Sequence, residues 1–318
     1  MADDGAEHVR RLRRRARDGL LLARDLDPEE ARVIRRDPAW QRLRRGAYLA
    51  PSEGGAAPAH VERRRLALAR IRAVHVELRS PVWFSHTSAA LLHGCDLVTA
   101  SDQVHLVQRS RPHTHGDARV VRHHGEVQEV DRSEIAGIPV TGLARTVVDC
   151  AGLLPREDGL VVADSALRLG ADRARVEELL AERAGRRGVA RARDVLALAD
   201  GRAESPGETL TRWHLHRHGV ERPELQVPVV TPLGAFRADL GWPEARLLLE
   251  FDGYVKYSGG GARAAADTVF AEKRRQDALE EAGWRVLRAT WPDLRAPATL
   301  ARRVRTALEF ARRRARSS

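Results

Sequence analysis

The segment Arg246-Leu247-Leu248-Leu249-Glu250-Phe251-Asp252-Gly253 constrains the fold more than any other stretch. Its apolar run predicts a strand buried on both faces, at the centre of a sheet covered by helices. That strand ends in Glu-Phe-Asp. Side chains alternate along a strand, so Glu250 and Asp252 share a face. Two adjacent carboxylates repel and lose hydration, and they need a metal or an Arg/Lys to offset the cost. Upstream, Leu225–Val230, a turn at Thr231–Gly234 and Ala235–Leu240 predict a hairpin that brings Asp239 beside the pair. Asp239, Glu250 and Asp252 are therefore candidate ligands of Mg²⁺ (or Mn²⁺), which takes carboxylates, waters and a phosphate oxygen.

Helices are predicted on either side. Ser205-Pro206-Gly207-Glu208 opens one that runs to His218 and stops at Gly219, with Ser205 as N-cap, Pro206 at N1 and Glu208 completing a capping box. A second, from Asp267 to Ala282, carries Lys273 and Arg274 as candidate phosphate contacts, and Trp284–Thr290 reads as the last core strand. The blocks SPGETLTRWHLHRHG, LQVPV, FRADLGWPEARLLLEFDGYVKY and EKRRQDALEEAGWRVLRATWPDL, from about Ser205 to Leu294, together resemble the PD-(D/E)XK nuclease core, in a domain family related to very-short-patch-repair endonucleases.

The resemblance implies a restriction-endonuclease-like α/β/α core with Glu208, Asp239, Glu250, Asp252 and Lys256 as its catalytic set. Asp239, Glu250 and Asp252 would hold the metal, which lowers the pKa of a bound water and polarises the phosphodiester. Lys256 would orient the water or neutralise charge in the transition state. Glu208 has a second, compatible reading as a helix cap. The sequence departs from the pattern where Asp252 stands in place of the usual lysine two residues after the glutamate. The positive charge then falls to Lys256 or Lys273, or is missing, and an Asp252–Lys256 ion pair of purely structural role is the alternative.

Charge points to the same partner. The formal net charge is +11 over 318 residues, and only Lys256 and Lys273 among the 55 basic residues are lysine. Such a chain favours a polyanion through counterion release, the plainer alternative being solvated arginine faces. Cys95 and Cys150 lie far apart without metal-ligand spacing, the N-terminus lacks a signal-peptide core, and no apolar run is long enough to span a bilayer. A reduced, cytoplasmic protein is the expectation.

At the N-terminus, a basic helix over Val9–Ala16, a short element at Gly19–Ala23, a helix opened by Asp27-Pro28-Glu29-Glu30 and a hairpin over Trp40–Leu49 turning near Gly46 follow the order of a winged helix-turn-helix. The segment resembles the N-terminal domain of AbiEi-type antitoxins, and Arg35, Arg36, Arg42, Arg44 and Arg45 are its candidate DNA contacts. Beyond the linker Pro51–Pro58, SHTSAALLHG and GIPVTGLARTVVD resemble the body of that same family. Seven histidines lie between His86 and His124, but none are spaced i,i+4 and no acid accompanies them in a known pattern, so packing or capping is expected of them rather than metal binding.

The expected fold class is multidomain α/β. A winged helix-turn-helix (1–51) precedes an antitoxin-like α+β region (59–200) and a nuclease-like domain with a basic C-terminal helix (205–318). Two functions follow. One is Mg²⁺-dependent endonuclease action on DNA in repair or defence. The other is a non-catalytic DNA-binding antitoxin, an autorepressor of a type IV toxin–antitoxin system with a degenerate nuclease fold. DNA is the partner in both and a cognate toxin in the second, with no membrane and no small-molecule cofactor.

Overall fold

The computed structural model describes residues 11–16, 19–52, 57–111, 117–253 and 262–317, without the side chains of 262–269 and 314–317. The chain forms two compact units, residues 1–153 with 172–186 and residues 154–171 with 187–318. Among the described residues, both units are mixed α/β, with sheets of three, five and four strands, and no helix is long and apolar enough to cross a membrane.

The first unit opens with helical residues 11–15 and strand β1 (Leu20–Leu22), then α1 (Pro28–Arg36), β2 (Gln41–Arg44) and β3 (Ala47–Leu49). The Asp27 carboxylate accepts the Glu29 and Glu30 amides, and Glu30 returns a contact to the Asp27 amide, so the capping box is complete. Gly46 turns the hairpin at φ +77°, a conformation that side-chain-bearing residues resist. The sequence leaves the type of the Gly19–Ala23 element open; it is a strand pairing antiparallel with β3. Helix α2 (Ala59–His75) lends Ala69 and Ala73 to the cluster that holds Leu20, Leu43 and Leu49. The hairpin therefore shares a core with the residues after the linker, and a cut at 51/59 does not separate them.

Strands β4 (Trp83–Phe84), β5 (Val104–Gln108), β6 (Val120–His124), β7 (Arg132–Ile135) and β8 (Ile138–Thr141) form the order β6-β5-β4-β8-β7. Helix α3 (His86–Leu92) follows β4, and α4 (Leu143–Leu153) and α6 (Arg173–Glu182) complete this unit. Strand β7 goes unpredicted because Arg-Ser-Glu-Ile lacks alternation. Its turn is set instead by Ala136 and Gly137, both at positive φ, as a tight hairpin requires.

The second unit holds α5 (Arg156–Arg168), α7 (Val189–Leu198), α8 (Pro206–Arg217), β9 (Glu224–Thr231), β10 (Gly234–Trp242), β11 (Leu247–Asp252), α9 (Ala262–Glu281), β12 (Arg285–Thr290), α10 (Trp291–Leu294) and α11 (Pro297–Ser317). The sheet order is β12-β11-β10-β9, with β9 to β11 an antiparallel meander and β12 parallel to β11 after the α9 crossover. Leu247 and Leu249 face a core with Leu210 and Leu215 of α8 and Val304 of α11, while Leu248 faces Leu279 and Trp284. Helices thus cover both sides of β11, as its apolar run requires.

Helix α8 lies so close to β11 that a Cβ on Gly207 would fall 2.0 Å from the Phe251 ring. Gly207→Ala is therefore expected to destabilise the second unit by about 1–3 kcal/mol, the usual cost of overpacking. Urea denaturation checks this, and an unchanged midpoint would mean that helix and strand separate freely.

Candidate functional site

The acidic site is built where the sheet breaks its alternation. Leu225 and Leu240 face the α8 side, whereas Val227 and Ala238 face the α9 side, although each pair is two residues apart. Between them Gln226 adopts φ +55°. A non-glycine residue held there costs on the order of 1 kcal/mol, and such strained positions concentrate beside functional sites. The kink brings groups from both helical layers toward one point.

From one side comes Glu208, on the first turn of α8 and only 5% exposed. Its carboxylate accepts from the Glu204 amide (2.9 Å), the Ser205 hydroxyl (2.8 Å) and the Gln226 side-chain amide (3.0 Å). Ser205 caps the Glu208 amide as expected, but the return contact goes to the Glu204 amide, so the box is shifted by one residue. From the sheet, Asp239 accepts the Phe251 amide at 2.8 Å. Glu250 shares the α9-facing side of β11 with Leu248. Continuing the pairing of Leu240 with Leu249 by one residue sets Asp239 opposite Glu250.

Burial raises the pKa of Glu208, the Glu204 amide counteracts this, and the nearby Asp239 charge raises it again. Burial likewise raises Glu250; Arg275 counteracts, while Asp239 and Glu272 add to the rise. Asp239 thus couples electrically to both glutamates. Arg275 of α9 reaches Glu250 with Nη1 at 2.9 Å and also contacts it through Nη2. Glu272, 3.6 Å from the Arg275 Nε, links onward to Arg288 at 2.5 Å.

Asp239 stands electrically coupled to both Glu208 and Glu250, in a row rather than a closed cage. Among the described residues, Asp239, Glu250 and Asp252 do not bring three ligand atoms within 4.8 Å of one another. The physical reason is on the page: Arg275 takes the Glu250 carboxylate and a backbone amide takes that of Asp239. A divalent ion would have to draw Glu250 off its arginine. Lys256 lies outside the described residues. Lys273 and Arg274 are exposed, and it is the next residue, Arg275, that turns inward.

Of the candidate DNA contacts, Arg35, Arg36, Arg42 and Arg45 are exposed on α1 and the hairpin. Arg44 is engaged within the fold, 3.1 Å from Glu77 and 3.9 Å from Asp117. The sequence reading missed a convergence of His86, His105 and His123 in the first unit, whose nitrogens lie within 4.8 Å of one another. No local spacing signals it, because the three residues sit on α3, β5 and β6.

Fold and sites define a two-unit α/β protein with an arginine-bearing N-terminal hairpin and an acidic row in its last sheet. Residues 83–198, from β4 to the end of α7, match the family described as AbiEi antitoxin C-terminal domain. Two proteins of Mycobacterium tuberculosis, "Uncharacterized protein MT2308" of strain CDC 1551 / Oshkosh and "Uncharacterized protein Rv2248" of strain ATCC 25618 / H37Rv, are each 36% identical over 181 residues. That stretch is 56% of this chain and spans 65% of the length of each relative. The crystal structure of RV2827C protein from Mycobacterium tuberculosis aligns at 19% identity with a TM-score of 0.39, covering 61% of this chain and 76% of that one.

Proposed function

We propose that this chain is a DNA-binding regulator of the antitoxin kind, joining a DNA-reading N-terminal module to a body that engages a cognate toxin protein. The match of residues 83–198 to the AbiEi antitoxin C-terminal domain carries this reading. The order helix, strand, helix, hairpin within residues 11–49 supports it, since a winged helix sets a helix and a hairpin against DNA. The formal charge of +11 supports it further. The test is binding of the full chain to DNA from its own promoter against unrelated DNA, over a range of salt concentrations. Tighter binding to the promoter with a steep salt dependence is expected; no preference at any salt concentration would remove the reading.

One observation favours a second reading, metal-dependent hydrolysis of DNA phosphodiesters. Asp239 is coupled to two glutamates whose pKa burial raises, Glu250 even against its Arg275 partner. With Mg²⁺ or Mn²⁺ bound, Asp239 and Glu250, joined by Asp252, would carry the ion, and the metal would supply an activated water. Glu208 would hold the Gln226 kink that orients Asp239. On this reading the full chain nicks supercoiled plasmid with Mg²⁺ or Mn²⁺, and Asp239→Ala or Glu250→Ala lowers the rate by about 100-fold or more. Absence of nicking by the wild type, or equal nicking by both variants, eliminates the enzyme and leaves the regulator standing.

A further inference from the structure

We propose that His86, His105 and His123 form a binding site for a transition-metal dication of the zinc class, with Asp149 as its outer carboxylate. The geometry is close to that of a three-imidazole site. The ligand nitrogens lie within 4.8 Å of one another, and His105 Nδ1 stands 3.0 Å from His123 Nε2. Tetrahedral zinc with Zn–N bonds of about 2.0–2.1 Å needs nitrogens about 3.3 Å apart, so one edge of the site is nearly at its final length. The His105 ring lies 5.5 Å from that of His86 and 5.3 Å from that of His123 between centroids, spacings that suit rings around one ion, while His86 and His123 stack at 3.9 Å and would have to open to share it.

The fold fixes all three. In the parallel β5–β6 pair, His105 aligns with Val121 and Val107 with His123, so the two histidines lie two steps apart. Residues of equal parity share a face. The Ser85 amide donates to the His105 carbonyl at 3.0 Å, which ties the start of α3 to β5. His86 itself is held at φ +51°, a left-handed conformation that a β-carbon disfavours. Ser85 Oγ engages its Nδ1 at 2.9 Å, leaving Nε2 for an ion.

The electrostatics suit a cation. Desolvation lowers the pKa of each of the three imidazoles. Burial acts to raise the Asp149 carboxyl, but His86, Arg183 and Arg145 more than offset it and hold it at about 2. Asp149 is therefore an anion, positioned by Arg145 at 3.1 Å and by Arg183, and its field is felt at both His86 and His123. A nearby anion favours a bound cation through its field, while the hydrogen bonds of Asp149 go to Arg145 and Arg183. His105 and His123 share a hydrogen bond across that 3.0 Å gap, which a shared ion would replace. Three imidazole ligands select zinc, copper or nickel over magnesium, and they leave a fourth position for water or a ligand oxygen.

The full chain, stripped with chelator and titrated with Co²⁺ in excess Mg²⁺, tests this. One equivalent of Co²⁺ should bind with the visible d–d bands of a tetrahedral nitrogen site, and Zn²⁺ should displace it. His105→Ala with His123→Ala should abolish the bands, and Asp149→Asn should weaken binding by about 10–100-fold. Circular dichroism of the variants checks that they fold; His105→Gln, which keeps the bulk of the side chain, serves where they do not. Failure of the wild-type chain to take up stoichiometric Co²⁺, or an unaltered spectrum in a folded histidine variant, overturns the proposal.

Discussion

Asp164→Ala is expected to destabilise the second unit by about 3–5 kcal/mol, the cost of leaving one partner of a buried ion pair without the other. Asp164 of α5 is 1% exposed and Arg212 of α8 is 3% exposed. The carboxylate accepts from Arg212 at 2.5 Å, from the Thr209 hydroxyl at 2.8 Å and from the Asp200 amide at 2.8 Å. Burial still raises its pKa against all three donors, so the charge is held at real expense. Removing it strands a guanidinium and two further donors in a dry interior. In a thermal scan the transition of this unit should fall by roughly 10 °C. Replacing both partners together, Asp164→Leu with Arg212→Met, should cost less than Asp164→Ala alone, because no charge is left behind. A loss below about 1 kcal/mol for Asp164→Ala would show that water reaches the pair. The consequence extends to the acidic site, since Thr209 and Arg212 seat the same helix that carries Glu208.

How much of this could be read in the sequence depended on whether the information was local. The strands around the acids were legible because alternation and a doubly apolar run are local signals, and Glu250 and Asp252 were placed on one face on that basis. The kink was not, since nothing in Leu-Gln-Val-Pro announces a left-handed Gln226, and a strict period of two cannot anticipate a change of face. Arg275 was missed in favour of Lys273 and Arg274, yet a signal existed. Leu279 is buried against the sheet, and four residues earlier on a helix is 275, on the same stripe. The histidine convergence was illegible for another reason. A search for i,i+4 pairs finds helical sites, whereas these residues are joined by strand order, which only long-range pairing decides. The ion pairs of Arg44 were illegible because its acidic partners, Glu77 and Asp117, come from distant parts of the chain.

Those same contacts define the sharpest test of DNA binding. Arg35, Arg36, Arg42 and Arg45 are exposed, while Arg44 is held by two carboxylates. Each phosphate contact contributes about 0.9 to the slope of log affinity against log salt. Changing the four exposed arginines to alanine is thus expected to reduce that slope by about 3 to 4. It should also weaken binding at physiological ionic strength by on the order of 100-fold or more. The change should be nearly uniform across DNA sequences if these side chains meet the backbone, and concentrated on the promoter if any of them reads bases. Arg44→Ala serves as the control: it breaks ion pairs within the fold and should leave the slope as it was. Filter binding or fluorescence anisotropy at several salt concentrations measures both quantities. An unchanged slope in the quadruple variant would move the DNA contact away from α1 and the hairpin, and with it the winged-helix reading of the N-terminus.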